Sequence, residues 1–232
     1  MPFFYFDSTY ILVLIGVVIS LLASSKVKST YAKYNNVRNQ RGLTGRDAAY
    51  QILRNAGIMD VQVEHVAGSL SDHYDPRNKV LRLSDSTYNS TSVAAVGVAA
   101  HECGHAIQHA HGYVPLSLRS AIVPVANFGS MIAWPLIFAG LFITSRSGEL
   151  LITIGILAFS ASVIFQLVTL PVEFNASSRA LRILDESQML YEEEMNGAKK
   201  VLHAAALTYV AAAAASILQL LRILLLSGRR RN

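Results

Sequence analysis

The sequence predicts an α-helical integral membrane protein that also carries a small α+β domain. Three observations predict it. Of its 232 residues, 52% are hydrophobic and only 15% are charged, which excludes an ordinary soluble domain. The apolar residues fall in blocks long enough to cross a bilayer. Between the blocks lie stretches with the periodicity of short strands and of helices.

The first block, Phe3 to Ala23, is interrupted only by Asp7 and is read as an uncleaved anchor over 1–25. No basic residue precedes it, and no small-x-small cleavage site follows it. Lys26, Lys28, Lys33, Arg38, Arg41 and Arg46 come next, with no acidic residue before Asp47. By the positive-inside rule this flank is cytoplasmic and the N-terminus lies outside. The net charge of +5 is accordingly read as topology and anionic-lipid contact, and nucleic acid is not expected as a partner.

The cytoplasm-facing half, 26–120, is expected to hold a helix over Thr44 to Ala56, stopped by Gly57. Val61 to Val66 alternates as a strand, Asp75-Pro76-Arg77-Asn78 is a turn, and Lys79 to Leu83 reads as the returning strand of an antiparallel pair. An edge of that sheet is either a cradle for an extended peptide or ordinary scaffold. A helix is expected from Ser90–Ser92, which offer caps, past His105 towards His109, with Pro115 as its stop. A membrane hairpin follows over 121–170. Its arms Ala121–Thr144, kinked by Pro124 and Pro135, and Leu150–Leu170 are free of charge and joined only by Ser145 to Gly148. Both outer ends then lie on one side, so 171–200 returns to the cytoplasm. Pro171 is expected to start a new helix there. The last segment, 201–232, is an apolar helix with a basic tail. Gln219 and Arg222 interrupt it, and a fourth crossing would carry Arg229 to Arg231 outside, against the charge rule. Crossing, re-entry and packing within the domain all stay open.

His101-Glu102-Cys103-Gly104-His105 gives the second half of the prediction. On a helix, histidines four apart share a face and can grip one Zn²⁺, with Glu102 beside them as a general base. Glu173 is read as the third ligand, a carboxylate in the first turn after Pro171, where the helix dipole favours it. Two His and one Glu leave a position for water, as a catalytic zinc requires. The domain is therefore expected to be zincin-like, with its HExxH helix next to a short antiparallel sheet. Cys103 is the only cysteine, read as a packing residue with fourth ligand as the alternative. His109, one turn beyond the motif, is placed on the surface or behind the ligands. His65, His73 and His111 are placed on strands or loops.

With these residues in view, the chain resembles the neutral zinc metallopeptidases of bacterial membranes, the YugP type. The resemblance covers nearly its whole length: anchor, His101 to His105, apolar hairpin, Pro171-Val-Glu-Phe-Asn-Ala-Ser177 and Ala205-Ala-Leu-Thr-Tyr209. More distantly it is similar to the HtpX and CAAX-prenyl-protease group. In that group an Asp four residues after the ligand Glu orients a histidine. Ser177 stands there in this chain; Asn175 or Ser177 is a candidate for a weaker hydrogen bond, and Asp72 or Asp75, from the sheet, for a substitute carboxylate. Tyr209, His203 and Arg179 are candidate oxyanion donors, Tyr209 the one chosen.

The resemblance implies a bacterial plasma-membrane zinc endopeptidase facing the cytoplasm. It would cut peptide bonds of membrane or membrane-proximal proteins with Glu102 as base. Two alternatives are a membrane adaptor or holdase with a structural zinc, and a zinc hydrolase of a non-peptide amide.

Overall fold

The computed structural model describes residues 7–231, with side chains given as far as 228. The first residues of the expected anchor, Phe3 to Phe6, and the side chains of the basic tail lie outside the described residues. The elements run α1 (Tyr10–Asn35), α2 (Gly45–Asn55), β1 (Gln62–Val66), β2 (His73–Asp75), β3 (Val80–Ser84), α3 (Val93–Ala110), α4 (Val114–Phe142), α5 (Arg146–Glu186) and α6 (Glu192–Arg231). Four of the helices, α1, α4, α5 and α6, contain stretches long and apolar enough to cross a membrane.

The chain divides into two compact units. One comprises the described residues up to Ala23, Leu118–Leu170 and those from Thr208 onward; the other comprises Ser24–Ser117 and Pro171–Leu207.

In the first unit, α4 and α5 pack antiparallel through glycines. A Cβ on Gly129 would lie 2.5 Å from the Ala158 carbonyl oxygen, and one on Gly155 would lie 2.9 Å from that of Ala133. Such contacts let membrane helices approach backbone to backbone. Trp134 fills the gap beside Phe138 and Phe159, with ring centroids 5.7 and 6.1 Å away. Apolar side chains such as Leu21, Met131, Phe142 and Leu157 are exposed, as a lipid-facing surface requires. Arg222, which interrupts the last apolar block, stacks its guanidinium 4.0 Å from the Tyr10 ring centroid.

The second unit is built around α3. Ile52, Leu81, Leu83, Val93, Val96, Leu184 and Leu202 form its core, drawn from α2, the sheet, α5 and α6. Thr44 caps α2 with a reciprocal box: its hydroxyl accepts from the Asp47 N–H while the Asp47 carboxylate accepts from the Thr44 N–H. Ser92 caps α3 by accepting from the Ala95 N–H at 3.1 Å.

Four expectations need correction. The predicted strand pair is parallel: β1 pairs with β3 in the register Gln62↔Val80 to Val66↔Ser84, and the sheet order is β1-β3-β2. The turn at Asp75 to Asn78 does reverse the chain, but the strand returning through it pairs with β2, which has only three residues and no alternation to reveal it. Pro115 does not stop α3. That helix ends at Ala110, with His111 as its cap and Gly112 (φ 62) turning the chain beyond it, and Pro115 sits in the first turn of α4, where its missing N–H is harmless. Pro171 likewise starts no new helix, because α5 runs through it from Arg146 to Glu186. Glu173 is therefore mid-helix, and a helix-dipole argument does not apply to it.

Candidate metal centre

All of the metal centre's described contacts lie within the second unit. His101 and His105 project from one face of α3, their ring centroids 4.8 Å apart. Gly104 lies between them and faces α5, where a Cβ would come within 2.5 Å of the Ala176 carbonyl oxygen. That absent side chain lets α5 settle against α3 at the height of the histidines. Glu173, 2% exposed, then places its Oε2 at 3.3 Å from His101 Nε2 and 3.5 Å from His105 Nε2.

These distances test the site for zinc. Tetrahedral Zn²⁺ with bonds of about 2.0–2.1 Å keeps its ligand atoms about 3.3 Å apart. The two contacts to Glu173 match that edge, and all three donor atoms lie within 4.8 Å of one another. Two imidazoles and a carboxylate are also a donor set that zinc prefers. His101, His105 and Glu173 are thus positioned to bind a metal ion.

The far side of each imidazole is held too. Gln108, fully buried, donates its Nε2–H₂ to the Val172 carbonyl at 2.8 Å and to Asn175 Oδ1 at 3.0 Å. Its Oε1 therefore turns to His105 Nδ1, at 3.1 Å. An amide oxygen can only accept, so Nδ1 carries the proton and Nε2 presents its lone pair to the metal position. Ser177 Oγ stands 3.1 Å from His101 Nδ1 and holds the orientation of the other ring. Asn175 is fixed in turn by Arg179, whose Nε donates to its Oδ1 at 2.7 Å. Burial alone would lower the pKa of His105; the Glu173 carboxylate beside it and nearby Glu102 outweigh burial and leave it raised.

Gln108 escaped the sequence analysis. Its signal was a glutamine one turn past a ligand histidine on a helix rich in small residues, and only its burial gives that weight. The aspartates proposed as supports lie elsewhere: Asp72 accepts from the Ser84 N–H and hydroxyl, and Asp75 accepts within its turn from Arg77 and Asn78. Cys103 points to α2, with Sγ 3.7 Å from the Ala49 carbonyl, and burial pushes its thiol well up. It packs and does not ligate. Glu102 follows His101 on α3 and is 9% exposed. His109 bonds the Tyr74 hydroxyl at 2.9 Å, and His65 pairs with Asp85. Arg179, one oxyanion candidate, is engaged by Asn175 and His111. His203 lines a separate hollow with Lys26 and Lys200. Tyr209, half-buried on α6, belongs to the first unit.

Four helices long and apolar enough to cross a membrane, and a buried His–His–Glu set with its imidazoles held from behind, define a membrane protein with a candidate metal-binding site. The chain belongs to the family described as "Putative neutral zinc metallopeptidase", which it matches over residues 9–228. It is 49% identical over 216 residues to "Putative membrane protease YugP" of Bacillus subtilis (strain 168), covering 92% of this chain and 95% of that relative. No solved structure matches it. Zinc is the metal of the family, and the three ligands are placed to hold it.

Proposed function

We propose that this protein is a zinc-dependent endopeptidase of the HExxH-plus-Glu type, acting on peptide bonds of membrane or membrane-proximal proteins. The observation that carries the reading is the convergence of His101, His105 and Glu173 with both imidazole Nδ1 atoms held from behind. Three protein ligands leave the open position that catalysis needs. A structural zinc in an adaptor would require a fourth, and Cys103, the nearest thiol in sequence, is turned to Ala49.

His101, His105 and Glu173 would hold the zinc, which would supply positive charge to acidify a water molecule and polarise the scissile carbonyl. Glu102 takes the proton that the water loses as the C–O bond forms, and hands it to the amine nitrogen, which leaves as the C–N bond then breaks. Gln108 keeps His105 in the tautomer that ligates, and Ser177 holds the orientation of the His101 ring. The outer edge of β2 offers unpaired backbone groups to an extended peptide, and β2 packs against α3, with Tyr74 bonded to His109. The basic flank after the first span supports reading this chemistry on the cytoplasmic side of a bacterial plasma membrane.

Glu102→Gln provides the test. The variant should bind zinc as the parent does and cleave nothing when membrane proteins are compared with and without it. Turnover that survives the substitution would remove Glu102 from the mechanism.

A further inference from the structure

Away from the metal centre, the second unit contains a hollow of ≈ 470 Å³ between α1 and α6. Lys26 and Lys33 enter it from α1, seven residues apart and so on one helical face. Lys200 and His203 enter it from α6. Thr30 and Ser29, whose hydroxyl donates to the Lys26 carbonyl oxygen at 3.1 Å, line the space between the lysines, and no carboxylate lines it. Among the described residues, none of these three lysines forms an ion pair. Lys33 lies 5.5 Å from the Tyr34 ring centroid, a contact that leaves its charge uncompensated. Ammonium groups gathered around one space repel each other, and an anion from outside relieves that repulsion.

Chemistry and chain position narrow the anion. Ammonium and hydroxyl donors together suit the oxygens of a phosphate group. Ala204 and Leu207 give the hollow an apolar wall, which a small inorganic anion does not use. Lys26 stands three residues after Ala23, the last α1 residue of the apolar unit, and Leu207 immediately precedes Thr208, where α6 enters that unit. The hollow is thus lined where two apolar helices become polar, the chain position at which anionic headgroups are met. We propose that it binds the phosphate of an anionic phospholipid headgroup, with the lipid's apolar part against Leu207.

The test uses the full zinc-loaded chain in detergent micelles. It is equilibrated with equal amounts of phosphatidylglycerol and phosphatidylcholine, and retained lipid is counted by native mass spectrometry. Phosphatidylglycerol should be enriched. At about 5-fold per lysine, the triple variant Lys26→Gln/Lys33→Gln/Lys200→Gln should bind it roughly 100-fold more weakly. Its zinc content should be unchanged, which reports an intact fold. The control Arg54→Gln/Arg77→Gln/Arg182→Gln removes equal charge elsewhere and should retain the lipid. Equal retention of both lipids, undiminished binding by the lysine variant, or an equal loss in the control would each overturn the proposal. A parallel arm offers inorganic phosphate alone; lysine-dependent phosphate binding without lipid enrichment would assign the hollow to free phosphate and overturn the lipid headgroup.

Discussion

Gln108→Leu should weaken zinc binding without touching a single ligand. The substitution keeps the volume and removes three polar contacts: Nε2 to the Val172 carbonyl at 2.8 Å, Nε2 to Asn175 Oδ1 at 3.0 Å, and Oε1 to His105 Nδ1 at 3.1 Å. Val172 Oand Asn175 Oδ1 keep other partners, from the helix and from Arg179 respectively. His105 Nδ1 does not, and it is buried on its ligand face. Losing that acceptor frees the ring to turn and to place its proton on Nε2, where no metal can bind. Loss of such a supporting partner typically weakens metal affinity 10- to 100-fold, about 1.4–2.7 kcal/mol. A buried donor left without a partner would also destabilise the fold by about 1–3 kcal/mol. Zinc affinity is measured by competition with a chromophoric chelator, and stability by denaturant unfolding of the zinc-free protein. Gln108→Glu is the sharper variant: it can still accept from His105 but brings a carboxylate against two oxygens, so stability should fall more than zinc affinity. Wild-type zinc affinity in Gln108→Leu would refute the argument that Gln108 sets the tautomer of His105.

Gly104→Ala should separate α3 from α5, because its methyl would meet the Ala176 carbonyl oxygen at 2.5 Å; zinc content should drop, and a fully loaded variant would show that the close approach is dispensable. The Asp75 carboxylate, held mainly by the Asn78 side chain and then by backbone N–H groups and Arg82, has its pKa lowered to about 2. Its support of the β2–β3 turn is therefore present above its ordinary pKa near 3.8 and is lost as pH falls from there through about 2. The protection of the Arg77 and Asn78 amides, taken relative to unstructured exchange at the same pH, should fall in that window and stay flat above it, and Asp75→Asn should abolish the change.

Much of this protein can be read locally. Hydropathy over Ala121–Thr144 and Leu150–Leu170 announces crossing helices because bilayer thickness and helix rise are fixed quantities. The four-residue step from His101 to His105 places two imidazoles on one face wherever that stretch is helical. Strand direction is not local in this sense. β1 and β3 alternate and a turn lies between them, yet three residues at His73 to Asp75 take the antiparallel place. Pro171 misled for a similar reason, since neighbouring helices satisfy the backbone groups that a proline frees.

The sequence by itself determined the membrane character, the two histidines with Glu102 between them, and a glutamate at 173 suited to join them. Each follows from composition or from spacing along one element. Only the tertiary structure decided that Glu173 meets both rings, that Gln108 and Ser177 orient them, and that Cys103 turns away. Those facts depend on where α5 lies against α3, which Gly104 permits through the carbonyl of Ala176, seventy-two residues further along the chain.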